Sequence, residues 1–179
     1  MRNQVAIQAS RLCWPVLIAS VLSIMVATSL AGPPSSDDSY LDDLQGRWVM
    51  RGTLGGKPVT YDAVAERVLG GAWLKFHMID AREPPGYQAD VFLGYDPSAH
   101  DFIVHWLDQF GAAGARVVAT GHRDGEQLMF TFPYAEGTFR DTFRRDKRNG
   151  TWTLLLESQG KDGTWSMFAN YRLTRPAGK

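Results

Sequence analysis

The feature that most constrains this chain is a repeated alternation of two kinds of segment over residues 46–173. A short run rich in β-branched and aromatic residues is followed by a cluster of Gly, Asp, Asn or Pro, and then the pattern starts again. The runs fall at residues 46–54, 59–69, 73–79, 87–95, 101–107, 115–120, 127–132, 138–145, 151–158 and 164–173. None sustains a helical period, although Ala63-Val64-Ala65-Glu66 is also compatible with a short helix. This spacing predicts an all-β barrel or sandwich. Asp124-Gly125, Asn149-Gly150 and Asp162-Gly163 supply the positive φ angles that tight hairpin turns need, so successive strands are expected to be antiparallel neighbours. An open sheet of this size leaves two edges, and closing it on itself removes them. The predicted fold is therefore a closed antiparallel up-and-down β-barrel of about 8–10 strands, wide enough for a small ligand. A single helical turn over 40–44, capped by Ser39, precedes it.

Alternation assigns faces. Phe139, Asp141, Phe143 and Arg145 share one side of their strand, and Trp165, Met167, Ala169, Tyr171 and Leu173 share one side of the last. In the run 101–107, Phe102, Val104 and Trp106 face one way and Ile103, His105 and Leu107 the other.

The start of the chain has a different character. Arg2 and Arg11 precede an uncharged apolar stretch that ends in Ser29-Leu30-Ala31. That is the pattern of a secretory signal peptide cut after Ala31. The expected organisation is a signal peptide at 1–31, a flexible linker at 32–43 built on Gly-Pro-Pro-Ser-Ser-Asp-Asp-Ser, and a barrel domain at 44–176. The expected location is periplasmic or secreted, with no stable membrane insertion after cleavage. Cys13, the only cysteine, lies inside the signal, so the mature chain has no disulfide, thiolate metal site or cysteine nucleophile. Removing Arg2 and Arg11 from the 19 basic residues leaves 17 against 19 acidic ones. A domain so close to neutral argues against nucleic acid as a partner.

Candidate binding residues follow from charge and face. One of Glu66 and Arg67 must point inward if their strand is regular. An inward charge needs a partner, for which Arg140, Arg144 and Asp141 are the candidates. The alternative to a ligand anchor is an internal or rim salt bridge. His77 and His105 would form an acid–base or metal pair if both faced the cavity; otherwise they are ordinary strand histidines. No His-x-His or His-x-x-x-His spacing supports a metal, and His100 and His122 fall in predicted turns. Of six Trp, nine Phe and six Tyr, all but Trp14 lie beyond the signal and can line an apolar cavity, Trp106 among them, or fill the barrel and leave none. The ligand-contact set read from these arguments is Glu66, Arg67, His77, Trp106 and Arg140. Neither a nucleophile elbow nor a phosphate loop is present, and no catalytic residue, metal or cofactor is assigned.

The two ends of the barrel region carry a resemblance. Gly46-Arg47-Trp48 opens the first run, and Tyr171-Arg172-Leu173-Thr174-Arg175 closes the last. This resembles the lipocalin (calycin) closure, in which a Gly-x-Trp on the first strand packs under an arginine from the last. The guanidinium stacks on the indole and bonds backbone carbonyls. The resemblance implies Gly46, Trp48 and Arg172 as closure residues, with Arg172 preferred to Arg175 because Arg175 precedes Pro176. Leu44-Gln45-Gly46-Arg47-Trp48, Glu66-Arg67-Val68-Leu69-Gly70-Gly71, Gly94-Tyr95-Asp96-Pro97, Trp106-Leu107-Asp108, Gly121 with Asp124-Gly125, and Asp162-Gly163-Thr164-Trp165 occur in this order. Together they resemble a bacterial family of secreted lipocalin-like barrels catalogued only as a domain of unknown function. That family implies the fold and no reaction. The neighbouring nitrobindin-like haem barrels share the early Gly-x-Trp, but their iron ligand is a histidine near the closing strands. Residues 151–175 of this chain contain none. The function expected is non-catalytic binding of a small apolar molecule. The alternatives are a structural or partner-binding barrel with a filled interior, and an enzyme with an unrecognised site.

Overall fold

The computed structural model describes residues 38–178. The expected signal peptide, its cleavage point and residues 32–37 lie outside the described residues. The predicted linker is structured from its seventh residue onward: a helix, α1 (Asp38–Asp42), carries Ser39 inside it rather than as its cap. Tyr40 and Leu41 are buried in the barrel core.

Ten strands follow among the described residues: β1 (Gly46–Leu54), β2 (Lys57–Val68), β3 (Trp73–Asp80), β4 (Gln88–Asp96), β5 (Asp101–Asp108), β6 (Val118–Asp124), β7 (Gln127–Tyr134), β8 (Gly137–Asp146), β9 (Thr151–Gln159) and β10 (Trp165–Thr174). Each pairs antiparallel with its sequence neighbours, and β1 pairs with β10 to close the barrel. The segment 63–66 is strand, because Ala63 and Ala65 fall on the inward face in register with Met78 and Phe76. Residues 114–116 form a 3-10 turn, which delays β6 to Val118 and leaves His122 in a strand rather than a turn.

Inward side chains alternate with outward ones along the strands, as the pleat requires, except at a bulge in β10. Trp48, Met50, Phe76, Leu93, Phe102, Phe130, Phe143 and Leu154 fill the half of the barrel nearer α1. Burying a side chain of this size contributes roughly 1.5–3 kcal/mol. Gly52 sits where β1 and β10 approach closely. A Cβ there would lie 1.8 Å from the Asn170 carbonyl oxygen, so no larger residue fits without moving β10.

The expected alternation of β10 breaks at a bulge between Met167 and Ala169. One extra residue reverses the facing of everything before it. Trp165 and Met167 therefore leave the side shared by Ala169, Tyr171 and Leu173. Met167 is opposite Glu157, and Trp165 stacks under Arg140 on the outer surface.

Candidate functional site

The two ends of the barrel differ in kind. At the α1 end, Trp48 is buried and its Nε1 donates to the Leu44 carbonyl at 2.6 Å. The guanidinium of Arg175 lies 3.5 Å from the Trp48 ring centroid and donates to the carbonyls of Gln45 at 2.8 Å and Arg47 at 3.4 Å. Gly46, at φ +107°, leaves room for it; a Cβ would lie 2.5 Å from Arg175 Nη1. The closure forms as the resemblance implies for Gly46 and Trp48, but its arginine is Arg175. Arg172 is opposite Arg51 on the outward face and reaches Thr151 Oγ1 at 3.5 Å. Parity decides this: Leu173 faces in, so residue 175 faces in and residue 172 cannot.

Arg67 is the inward member of the Glu66–Arg67 pair, and it also works at this end. Its Nε and Nη2 donate to Asp42 Oδ1 at 3.0 and 2.8 Å, tying β2 to α1. Glu66 faces out and pairs with Lys75 at 2.8 Å. Neither meets Arg140, Arg144 or Asp141, because the second partner comes from α1, an element beside which strand pattern alone does not place it. Arg145, inward as expected, lies 4.8 Å from the Tyr40 ring centroid and pairs with Glu126 at 2.7 Å.

At the other end the barrel is open. A cavity of about 330 Å³ descends between the ends of β1–β3, β5, β9 and β10 and the loop before β4. Tyr61, Tyr87 and Tyr171 form its aromatic wall, with ring centroids 6.0 Å apart for Tyr61–Tyr87 and 5.7 Å for Tyr61–Tyr171. Trp106 Nε1 donates to the Tyr87 hydroxyl at 2.9 Å, and that hydroxyl donates to Asp108 Oδ2 at 3.4 Å. Burial pushes the phenols of Tyr61, Tyr87 and Tyr171 upward, so all three stay neutral donors at ordinary pH. A contiguous recess of about 170 Å³ runs beside Phe132, Tyr134 and Phe139 and reaches Asp141. Phe110 and Phe168 stand exposed at the rim.

Two carboxyls in this region have opposite environments. Asp80 accepts from Arg82 Nε at 2.8 Å and from the Gly86 amide at 3.2 Å, and Arg82 Nη2 also contacts it. The Arg82 hydrogen bonds hold its pKa down to about 2. Asp141 lies on β8 between Phe130 of β7 and Leu156 of β9 and is only 5 % exposed. It has no hydrogen-bond or ion-pair partner among the described residues; its oxygens keep a little accessible surface, and the side chain lines the recess. Burial pushes its pKa up to about 7.

Of the ligand-contact residues expected from sequence, only Trp106 lines the cavity. His77 faces outward, its Nδ1 2.8 Å from Asp90 Oδ1 on β4. His105 also faces outward, its Nε2 2.7 Å from the Ala115 carbonyl. The two imidazoles do not converge, because each shares parity with outward neighbours on its strand. Arg140 is outward as well, pairing with Glu157 at 2.8 Å and stacking 4.2 Å from the Trp165 centroid. Among the described residues no three metal-ligating side chains cluster. Asp141 had a signal in the sequence, since alternation places it beside Phe139 and Phe143. Tyr171 had the same kind of signal, sharing a face with Ala169 and Leu173; Tyr61 and Tyr87 had none beyond being aromatic.

No family model matches the chain, and no curated protein matches it. Among solved structures, the barrel is similar to the crystal structure of Rv2717c from M. tuberculosis. The TM-score is 0.55 and the identity 13%, over 81% of this chain and 100% of that one. At that identity the likeness concerns the fold alone.

Proposed function

We propose that this protein is a non-catalytic binding barrel for a small, largely apolar molecule held in the open-end cavity. One observation carries the reading: an aromatic-lined cavity of about 330 Å³ stands over a buried hydrophobic core in the α1 half. Its volume is at the small end of the range for ligand pockets, roughly 300–1,000 Å³. Its polar groups are few and placed at one side or in the adjoining recess, as orientation of an apolar ligand requires. The filled-interior reading applies only to the α1 half of the barrel.

The basic start, apolar run and Ser29-Leu30-Ala31 exit support a periplasmic or secreted location for this role. The motif resemblance supports membership of the secreted lipocalin-like family. A second reading rests on Asp141, whose pKa of about 7 suits a general acid or base. Among the described residues the lining around it consists of phenols, Trp106, apolar side chains, Asp108 and the Asp80–Arg82 pair, with no serine, threonine, cysteine, histidine or lysine.

The test is native extraction. Purified wild-type protein should release a small molecule detectable by mass spectrometry after denaturation. Leu156→Trp, which places an indole in the cavity, should retain much less of it. Equal retention by both proteins, or none by wild type, would count against a ligand in this cavity.

A further inference from the structure

The recess that shares Tyr87, Trp106, Asp108, Leu156 and Phe168 with the cavity is chemically one-sided. Asp141 is a nearly fully buried carboxyl on the inward face of β8, bordering the recess that continues the main cavity. Buried carboxyls are normally paired, because an isolated charge is costly in an apolar surrounding. Here no described residue supplies the partner. Along the rest of the cavity, Asp108 and Asp80 add two more carboxyls. Among the described lining residues the one cation is Arg82, and it is paired with Asp80. The remaining lining is mostly rings: Tyr61, Tyr87, Trp106, Tyr134, Phe139 and Tyr171. Ring faces attract cations, and more strongly when desolvated. An anionic ligand would meet Asp141 and Asp108 with no free cation to offset them. A neutral hydrocarbon would bury the carboxyl still deeper and leave it unpaired. A protonated amine on an apolar body satisfies both features at once, the nitrogen donating to the carboxylate and the body packing on the rings.

We propose that the ligand class is a small hydrophobic amine, its ammonium group held by Asp141 in the recess and its apolar part by the aromatic wall. This rests on the cavity being the binding site, and it assigns Asp141 a binding role rather than an acid–base one.

The probes are three molecules of similar size and shape: 2-phenylethylamine, propylbenzene and 3-phenylpropionate. Binding to the mature protein is followed by ligand-observed NMR and calorimetry at about pH 8. The amine is expected to bind about tenfold or more tighter than propylbenzene, and the acid weakest, as a charge-assisted hydrogen bond implies. In Asp141→Asn the preference for the amine over propylbenzene should disappear while propylbenzene binding stays within about twofold of wild type. Wild-type protein alone decides the charge preference, whatever the variant does. Equal affinity for amine and hydrocarbon, or tightest binding of the acid, overturns the amine assignment and leaves the apolar-ligand reading standing. An amine preference that persists in Asp141→Asn overturns the role of Asp141. If none of the three binds, the amine assignment and the cavity reading both fall.

Discussion

Replacing Asp141 with asparagine should stabilise the ligand-free barrel at neutral pH and remove one component of its pH dependence. The carboxyl titrates near 3.8 in an unfolded chain and near 7 in the folded barrel, where burial disfavours its charge. Between those values the native state holds a proton that the unfolded state has lost, so stability from this group falls as pH rises. Its cost is absent below about 3.8, grows through the interval and is complete above about 7. The whole gap corresponds to roughly 4 kcal/mol, at about 1.36 kcal/mol per pKa unit. That is a large part of the roughly 5–15 kcal/mol that holds a domain folded. Other carboxyls act in the opposite sense. Asp80, Asp96, Asp146 and Asp162 are all held below their ordinary values by hydrogen bonds, and their contributions are lost as pH falls. They are unchanged in the variant, so the difference between the two proteins isolates Asp141. The assay is urea unfolding, followed by tryptophan fluorescence at several pH values from about 4 to 8. Asp141→Asn should match wild type near pH 4 and exceed it by up to roughly 4 kcal/mol at pH 8. A difference independent of pH, or a variant less stable at pH 8, would refute the claim that this carboxyl is buried and unpaired.

Two further outcomes are expected. Trp48→Ala should cost about 3–5 kcal/mol as a buried tryptophan is lost, and Arg175→Ala about 1 kcal/mol. Their double mutant should be less than additive and Arg172→Ala close to neutral, all by urea unfolding; additive effects would mean the 3.5 Å stack contributes no coupling. N-terminal sequencing of protein recovered from the periplasm should begin at Gly32; recovery only from membranes with Met1 intact would contradict the signal-peptide reading.

What the sequence determined by itself is what short-range chemistry controls. Turn dipeptides and β-forming runs set about 8–10 strands in antiparallel order, and period-two alternation placed Asp141, Phe139 and Phe143 on one face. Gly46 and Trp48 were legible as a closure through the lipocalin resemblance of Gly46-Arg47-Trp48 at the start of the first strand. The tertiary structure decided whatever depends on where distant strands end relative to one another. Arg175 rather than Arg172 covers Trp48: parity with Leu173 permits it, and the closure of β1 on β10 brings it over the ring. The bulge at Met167–Ala169 turned Trp165 outward, against simple alternation. Arg67 found Asp42 on α1, a contact 25 residues away in sequence. The cavity itself has the same origin. Inward aromatics occur at both ends of the barrel, and only the three-dimensional register separates those that interlock around Phe143 from those left as a wall around empty space. Local preference sets which way a side chain points; the packing of non-adjacent strands and of α1 against one end sets what it meets there.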